Sequence, residues 1–454
     1  MKNLFAVGIV LVASAVFAEA KVEKVLVRQQ WPWSSQVRVD YEVSGAEGAG
    51  VDLAVEVKLG DVTLDKEAVR QAIVDGYVHG VKNGYGFFSF DPIKAFGTGK
   101  SSREISVKLT VDKAADPLAD RIEYRVFDLV TGKVTDLRRR DFFSRPGVYG
   151  AYTTDYSTIG KDFTSPCKDV FIWTGCNVDE YKTTKLVMKR IPAAGEVFYV
   201  GPSDDDERAV KTGDYQEHRV QVKLTKDFFI GVFELSQRQN EIITGRTDSY
   251  FTNVLHYATR PVDYLSQTTL MSGDDGFCKM ASAKFPGNTF RLPTEAQWEF
   301  AAKAGYDGPN YPNGKPVTLD NFAELEGYKI AYGYASRNEP YYNGGTRPLG
   351  VGLPNAYGLY NTLGSQKERT RDQVQGNLYS YWINVQKKTE PIVDPQVNSS
   401  SVGATCYAVK GNDWHWTTDL TRGRQSYRYG FVPAQIQDYG CNAIFGYRLI
   451  VECE

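Results

Sequence analysis

Cysteine and histidine are the residue types of this 454-residue chain from which a metal or nucleophilic site would first be built. They show neither a C-x-x-C nor an H-x-x-x-H spacing; the cysteines are Cys167, Cys176, Cys278, Cys406, Cys441 and Cys453, and the histidines are His79, His218, His256 and His415. The pattern is that of neither a zinc ribbon nor a two-histidine metal site. A nucleophile elbow is also absent from the sequence, which argues against a hydrolase.

A second group of residues near the C terminus is suited to binding. It consists of Arg424, Tyr427, Arg428 and Tyr429, with Trp414 and Trp416 close in sequence. Tyr, Trp and Arg commonly carry binding energy, so we expect these side chains to line a ligand surface. The alternative is a core strand whose arginines make local ion pairs, and the sequence leaves both possibilities open.

The first twenty residues predict a secretory signal peptide. Lys2 supplies the charged start, residues 4–17 an apolar core too short to span a bilayer, and Ala18-Glu19-Ala20 a cleavage site. We therefore expect a secreted or periplasmic protein that begins at Lys21. An even number of cysteines in an oxidising compartment favours disulfides over reactive thiols. Cys167 and Cys176 are close enough in sequence to close a small loop, although the pairing is not determined.

Charge and composition exclude some partners. The chain has 53 Lys and Arg against 55 Asp and Glu, a net charge of −2, which is too balanced for nucleic-acid binding or attachment to a membrane surface. No segment after the leader resembles a membrane anchor. A hydrophobic content of 42% with 13% aromatic residues favours packed cores over disorder.

The segment "RLPTEAQWEFAAKAG" at 291–305 predicts a helix in detail. Thr294 and Gln297 have the spacing of a capping box, and Gly305 follows the end of the helix. The positions predicted to share a buried face are Trp298, Ala301, Ala302 and Gly305. Glu299 and Lys303 are expected to form an exposed pair four residues apart. We interpret this helix as scaffold, with Glu295 and Glu299 in solvent.

An α+β protein with three regions after the leader is predicted. Residues 21–144 alternate apolar and polar positions, as in Val37, Val39, Tyr41 and Val43, which indicates a small antiparallel β-sandwich. A strand at 122–126 is included in this domain. Residues 145–185 are interpreted as a connecting segment, and residues 186–454 as a loop-rich domain.

Six segments of the last region occur in the order seen in the sulfatase-modifying-factor family, which includes the formylglycine-generating enzymes. They are "IPAAGEVFYVG", "EHRVQVKLTKDFFIGVFELSQRQ", "RPVDYLS", "FRLPTEAQWEFAAKAG", "NAYGLYNTLGSQKERTRD" and "FGYRLI". The region therefore resembles that family over about residues 186–454. The resemblance implies a loop-rich variant of the C-type-lectin-like fold, in which the 291–305 helix is a structural hallmark.

The resemblance also points to a missing active site. The active enzymes have a C-Y-R-Y-R-C stretch whose two thiols bind copper(I), whereas this chain has "SYRYGF" with Ser426 and Phe431 at the thiol positions. A hydroxyl and a phenyl ring do not replace soft sulfur ligands, so copper is not expected. Cys441 lies fifteen residues after Ser426.

A second departure concerns the groove wall of the family. The G-N-x-W-E-W element appears as "GSQKER", so Lys367 and Arg369 replace two tryptophans. The R-G-G-S-W element appears as "KGNDW", from Lys410 to Trp414. We expect a cationic wall where the family has an aromatic one.

The resemblance retains a calcium loop of the formylglycine-generating enzymes. Its ligands correspond to the side chains of Asn361 and Glu368 and the carbonyls of Gly364 and Gln366, an all-oxygen set that suits Ca²⁺. The alternative is a turn braced by the asparagine, with a surface glutamate. We predict structural calcium here.

Two functions follow. The first is an exported binding or structural module without oxidase activity, whose ligand would be a peptide, a protein or a glycan. The second is a divergent formylglycine-generating oxidase that brings Cys441 or Cys278 to the cleft.

Overall fold

The computed structural model describes most of the chain in segments. These are residues 19–29, 34–97, 105–159, 165–167, 169–207, 209, 217–247, 249–252, 255–264, 270, 276–307, 346–374, 390–396, 406–411, 424–433 and 445–453. The predicted signal peptide up to residue 18 lies outside them. The chain divides into two compact units, Met1–Arg121 with Arg138–Tyr149, and Ile122–Leu137 with Gly150–Glu454.

The N-terminal unit is built mainly from antiparallel strands. Its strands are β1 (Lys21–Gln29), β2 (Val37–Ser44), β3 (Val51–Leu59), β4 (Val62–Thr63), β5 (Ile73–Gly76), β6 (Gly84–Phe90) and β7 (Ile105–Ala114), and its helices are α1 (Lys66–Gln71), α2 (Pro92–Phe96), α3 (Arg139–Ser144) and α4 (Pro146–Tyr149). The strand orders of its two sheets are β1-β2-β6-β5 and β4-β3-β7. Both sheets contribute to one hydrophobic cluster, in which alternate residues of β2 are almost completely buried. The two sheets of this unit therefore share one core.

The C-terminal unit combines short strands with few helices. Its strands are β8 (Ile122–Asp128), β9 (Val134–Arg138), β10 (Lys185–Ile191), β11 (Val197–Val200), β12 (Val220–Lys223), β13 (Phe228–Gly231), β14 (Phe290–Arg291), β15 (Lys367–Val374), β16 (Ile392–Val393), β17 (Cys406–Lys410), β18 (Arg428–Pro433), β19 (Phe445–Gly446) and β20 (Ile450–Glu452), and its helices are α5 (Glu180–Thr183), α6 (Gln237–Thr244), α7 (Phe277–Lys284) and α8 (Glu295–Lys303). Together the two units form a mixed α+β protein, as predicted.

Three sheets organise the C-terminal unit. The largest has the order β14-β20-β13-β10-β8-β9, and two smaller sheets have the orders β11-β12-β16 and β18-β17-β15-β19. Helix α8 contacts β11 of one small sheet and β15 and β17 of the other. Apolar residues of α8, including Phe300 and Ala301, join a hydrophobic cluster that also contains Ile450 of the large sheet. Helix α8 is therefore enclosed on more than one side.

The strand at 122–126 belongs to the C-terminal unit, which differs from the predicted sandwich boundary at residue 144. Strand β8 pairs with β10 in antiparallel register, with Leu186 opposite Phe127 and Val187 opposite Val126. Alternation of apolar residues identifies a strand and its buried face, but it does not identify the neighbouring strand. The apolar pattern of this strand therefore does not show to which of the two units the strand belongs.

The predicted set of disulfides is not found at the cysteines whose side chains the structure describes, which are Cys167, Cys176, Cys278 and Cys453. The predicted small loop between Cys167 and Cys176 is open. The Cys167 thiol donates to the Ala304 carbonyl at 2.8 Å, and the Cys176 thiol to the Trp173 carbonyl at 2.8 Å. Each of these two thiols thus acts as a hydrogen-bond donor to a backbone carbonyl, a role that an even count of cysteines does not reveal.

No helix in the described part of the chain is both long and apolar enough to cross a membrane.

Candidate functional site

Helix α8 begins as the sequence predicts. The Gln297 N–H donates to the Thr294 hydroxyl at 3.1 Å, and the Thr294 N–H donates to the Gln297 side chain at 2.9 Å, which completes the capping box. The helix ends at Lys303, and Ala304, which follows it, is left-handed with φ 49° and immediately precedes Gly305. Trp298 is almost fully buried. These local contacts fix the start of the helix and the direction of its side chains.

The prediction that Glu295 and Glu299 are solvated is wrong. Their exposed fractions are 2% and 0%. The Lys410 ammonium, itself fully buried, lies 2.7 Å from a Glu299 oxygen and 3.4 Å from a Glu295 oxygen. Lys303 pairs with Glu299 at 2.8 Å, as its spacing predicts, but inside the protein. The polar face of α8 packs against strands β15 and β17, so it is a second buried face.

Arg428 completes this cluster from strand β18. Its Nε donates to Glu295 Oε1 at 2.6 Å, and its Nη2 to Glu295 Oε2, so that the guanidinium and the carboxylate form a two-bond pair. The Lys410 ammonium also donates to the Ser426 carbonyl at 2.9 Å. The buried charge cluster of Glu295, Glu299, Lys410 and Arg428 therefore ties α8 to strands β17 and β18.

Arg424 has a separate set of partners. It is 3% exposed, and its guanidinium lies 2.6 Å from Glu217 and 3.4 Å from Asp206. Arg424 and Arg428 thus occupy buried ion pairs. The sequence allowed this arrangement as the alternative to a ligand surface. Of the other predicted binding residues, Tyr427 is half-buried and Tyr429 lies on β18 opposite Val409. Trp414 lies outside the described residues.

Ser426 and Phe431 are the residues that the sequence predicts to stand at the two copper-binding thiol positions of the family. The Ser426 hydroxyl accepts a hydrogen bond from Arg424 Nη1 at 3.2 Å. Position 426 is therefore connected to both sets of buried charges, through its side chain to Arg424 and through its carbonyl to Lys410. Phe431 lies in the middle of strand β18.

The described thiols have pKa values that keep them protonated. Cys278 of α7 is buried in an apolar cluster, and burial raises its pKa to about 12. Burial also raises the pKa of Cys453 to about 11, and raises those of Cys167 and Cys176. A thiol in this state is a poor nucleophile and a poor metal ligand. Cys278 therefore does not suit the oxidase alternative, and Cys441 lies outside the described residues.

The two residues predicted to form a cationic groove wall, Lys367 and Arg369, have buried side chains. Lys367 is 0% exposed and Arg369 is 1% exposed. The Lys367 ammonium lies 5.9 Å and the Arg369 guanidinium 5.0 Å from the centre of the Phe445 ring. On the opposite side of β15, Glu368 points towards α8 and accepts a hydrogen bond from Trp298 Nε1 at 2.6 Å.

The two side chains predicted to bind calcium already have partners. Both Glu368 oxygens accept hydrogen bonds from Arg448, at 2.7 to 3.0 Å, in addition to the bond from Trp298. The Asn361 side-chain oxygen accepts the Gly350 N–H at 2.9 Å. In this arrangement the predicted ligands do not fit a calcium ion, because a cation would have to displace Arg448 from Glu368. The calcium ion predicted at Asn361, Gly364, Gln366 and Glu368 would therefore have to compete with these partners, and a calcium titration tests it.

Glu234 is a buried carboxylate that no sequence signal identified. It is 0% exposed, and neither of its oxygens has a hydrogen-bond partner of normal geometry among the described residues. Burial and then the neighbouring Glu368 raise its pKa well above its usual value, while Arg448 and the nearby Ser365 hydroxyl and Gln366 N–H lower it. Burial therefore favours the neutral form of the Glu234 carboxyl in the folded protein.

Comparison with known proteins places this geometry in a family. A family model described as the sulfatase-modifying factor enzyme 1-like domain matches residues 184–452, which is more than half of the chain. The chain belongs to this family. The match begins just before strand β10 and includes α8 and the buried charge cluster.

Several formylglycine-generating enzymes are similar to part of this chain. That of Thermomonospora curvata is 38% identical over 82 residues, 18% of this chain and 27% of that protein. Those of Bos taurus and Mus musculus are 27% and 26% identical over 143 and 144 residues, in each case 32% of this chain and 33% of the relative. The chain thus spans about a third or less of these relatives. The solved structure of PvdO from Pseudomonas aeruginosa is 20% identical, with a TM-score of 0.41, and covers 59% of this chain and 94% of that one.

The raised pKa of Glu234 predicts how the stability of the family domain depends on pH. The folded state holds this proton to a higher pH than the unfolded state, whose glutamate pKa is about 4.3. The contribution to stability is therefore complete below about pH 4.3 and is lost as pH rises towards the folded pKa. The Glu234→Gln variant should become progressively more stable than the wild type over this range, by at most about 1.4 kcal/mol per pH unit.

The measurement is the free energy of unfolding in urea at a series of pH values, with EDTA present. The exposed Glu196→Gln variant controls for loss of one carboxylate. Parallel pH profiles for the wild type and Glu234→Gln would contradict the expected protonation of Glu234.

The hydrogen bonds already made by the side-chain oxygens of Glu368 and Asn361 predict how calcium affects the stability of the protein. Because no predicted side-chain ligand is left open, we expect the melting temperature to be the same in EDTA and in millimolar Ca²⁺. Mg²⁺ at equal ionic strength is the control. A saturable rise with Ca²⁺ but not Mg²⁺, lost in Glu368→Gln, would show that the ion displaces Arg448 and that the loop binds calcium.

Proposed function

We propose that this chain is an exported protein whose sulfatase-modifying factor-like domain is a binding or structural module without thiol–copper oxidase activity. The observation that carries the proposal is the chemistry at position 426. The side chain there is a hydroxyl hydrogen-bonded to Arg424, and the backbone carbonyl is bonded to Lys410. A hydroxyl in this setting offers copper(I) no soft ligand.

The state of the cysteines supports the same proposal. Two thiolates must approach one copper(I) ion, but burial raises the pKa of every cysteine whose side chain the structure describes. Cys167 and Cys176 are each engaged by a different backbone carbonyl, and Cys278 lies in an apolar cluster. Export is supported by the leader-like pattern of the first twenty residues.

A peptide, protein or glycan is the ligand class that the remaining aromatic residues would suit. Tyr427 is half-buried beside Arg424, whose guanidinium is 5.8 Å from its ring. We propose that Tyr427, Tyr429 and Trp414 contribute to ligand contact, whereas Arg424 and Arg428 position strand β18 through their buried ion pairs.

Copper(I) binding tests the proposal. The wild-type protein should not compete with a chromophoric copper(I) chelator, and copper(I) should protect none of its cysteines from alkylation, as read by peptide mass spectrometry. The Ser426→Cys/Phe431→Cys double variant is the matched control, because it restores sulfur at both positions; it should gain copper(I) affinity.

The divergent oxidase is the alternative outcome. Tight copper(I) binding by the wild type, with protection of Cys406 or Cys441 and oxygen uptake in the presence of a cysteine peptide, would overturn the non-oxidase proposal.

A further inference from the structure

Strand β15 carries two positive charges beside one aromatic ring. Lys367 and Arg369 are two residues apart, so they share a face of the strand. Their charged groups lie 5.9 Å and 5.0 Å from the centre of the Phe445 ring, and Lys367 is paired in parallel register with Phe445 on β19. The aromatic ring attracts both cations, but it provides no hydrogen-bond acceptor of ordinary strength.

The Arg369 guanidinium lacks the partners that its burial requires. Arg369 is 1% exposed, and within the described residues its Nε and Nη1 have no hydrogen-bond acceptor. A buried cation with open donors is costly unless an anion accompanies it. Three other buried arginines of the domain, Arg424, Arg428 and Arg448, pair with carboxylates. A fourth, Arg260, donates hydrogen bonds to the Leu255 and Thr346 carbonyls.

None of the carboxylates near strand β15 forms an ion pair with Arg369 in the described part of the chain, and two of them are engaged by other groups. Glu368, between the two cations in sequence, lies on the opposite face of β15 and pairs with Arg448. Asp372 accepts the Glu295 N–H at the start of α8. One oxygen of Asp263 accepts the Tyr250 N–H at 2.6 Å, while the other has no hydrogen-bond partner among the described residues. Asp263 nevertheless forms no ion pair with Arg369 in the described part of the chain. The Nε and Nη1 donors of Arg369 therefore remain open to an anion from outside the protein.

We propose that the Arg369–Lys367–Phe445 site binds an oxyanion group of a ligand. The guanidinium would donate hydrogen bonds to the oxygens, the Lys367 ammonium would add a second positive charge, and the Phe445 ring would form the wall behind them. The inference rests on the proposed binding function and gives it a ligand chemistry. The copper(I) experiment tests that function by a separate readout, so each can fail without the other.

Isothermal titration of the purified full chain tests the site, with sulfate and acetate as separate probes and chloride used to hold ionic strength constant. The wild type should bind at least one probe saturably, and the melting temperature should rise with occupancy of the site. Sulfate also stabilises proteins non-specifically, so only a saturable effect counts. Preference for sulfate or for acetate distinguishes a tetrahedral oxyanion from a carboxylate.

Arg369→Gln should weaken binding roughly tenfold to a hundredfold, the usual effect of one charge-assisted hydrogen bond. Arg219→Gln is the matched control: its guanidinium also lies over a ring, 3.8 Å from the centre of Tyr199, but it already pairs with Asp307. This control should bind like the wild type. In Arg369→Met, removal of the uncompensated charge should raise the melting temperature in buffer without oxyanion and abolish the shift.

No saturable binding of either probe by the wild type would overturn the proposal, whatever the variants do. Equal binding by Arg369→Gln and the wild type would also overturn it, because the oxyanion would then bind elsewhere.

Discussion

The ion pair between Glu295 and Arg428, with Lys410 beside it, is the interaction on which the C-terminal domain depends. It joins the first turn of α8 to strand β18, two elements far apart in sequence. Removing these charges from water is costly, and only close pairing repays the cost. The two-bond geometry at Glu295 and the 2.7 Å contact between Lys410 and Glu299 meet that condition. Breaking any one partner would leave a buried charge alone.

The same cluster also engages position 426. Strand β18 is held by Arg428 at one point, and the segment before it by Lys410 and Arg424 through Ser426. A pair of copper-binding thiols would have to share this segment with charges already satisfied by neighbouring side chains. Under the proposed function, the segment keeps the family architecture and loses its redox chemistry. Binding would then be carried by the aromatic residues of this segment and by the buried cations of β15.

Local interactions could be predicted from the sequence because both partners are close along the chain. The capping box of α8 requires only Thr294 and Gln297, and both of its hydrogen bonds form. The alternation of Val37, Val39, Tyr41 and Val43 predicts a strand with one buried face, as observed. The resemblance to the family allowed a prediction over a longer stretch of the chain, because it rests on several segments in a fixed order and not on any single contact.

Contacts between side chains that are far apart in the sequence could not be predicted from it. Glu299 and Lys303 have the spacing of a surface pair, and only the packing of β15 and β17 over them makes that pair internal. The burial of Glu234 and the ion pair between Glu368 and Arg448 have the same origin. A helix with carboxylates on its polar side and a lysine or arginine on a distant strand gives no signal that they meet.

A double-mutant cycle between Glu295 and Arg428 tests the central claim most directly. The variants are Glu295→Gln, Arg428→Met and the combination, and the measured quantity is the free energy of opening at the β18 amides from hydrogen exchange. The account predicts a coupling energy of about 2 kcal/mol or more, so that the double variant is less destabilised than the sum of the single ones. Additive effects, within about 0.5 kcal/mol, would contradict it, because the two charges would then not hold α8 and β18 together.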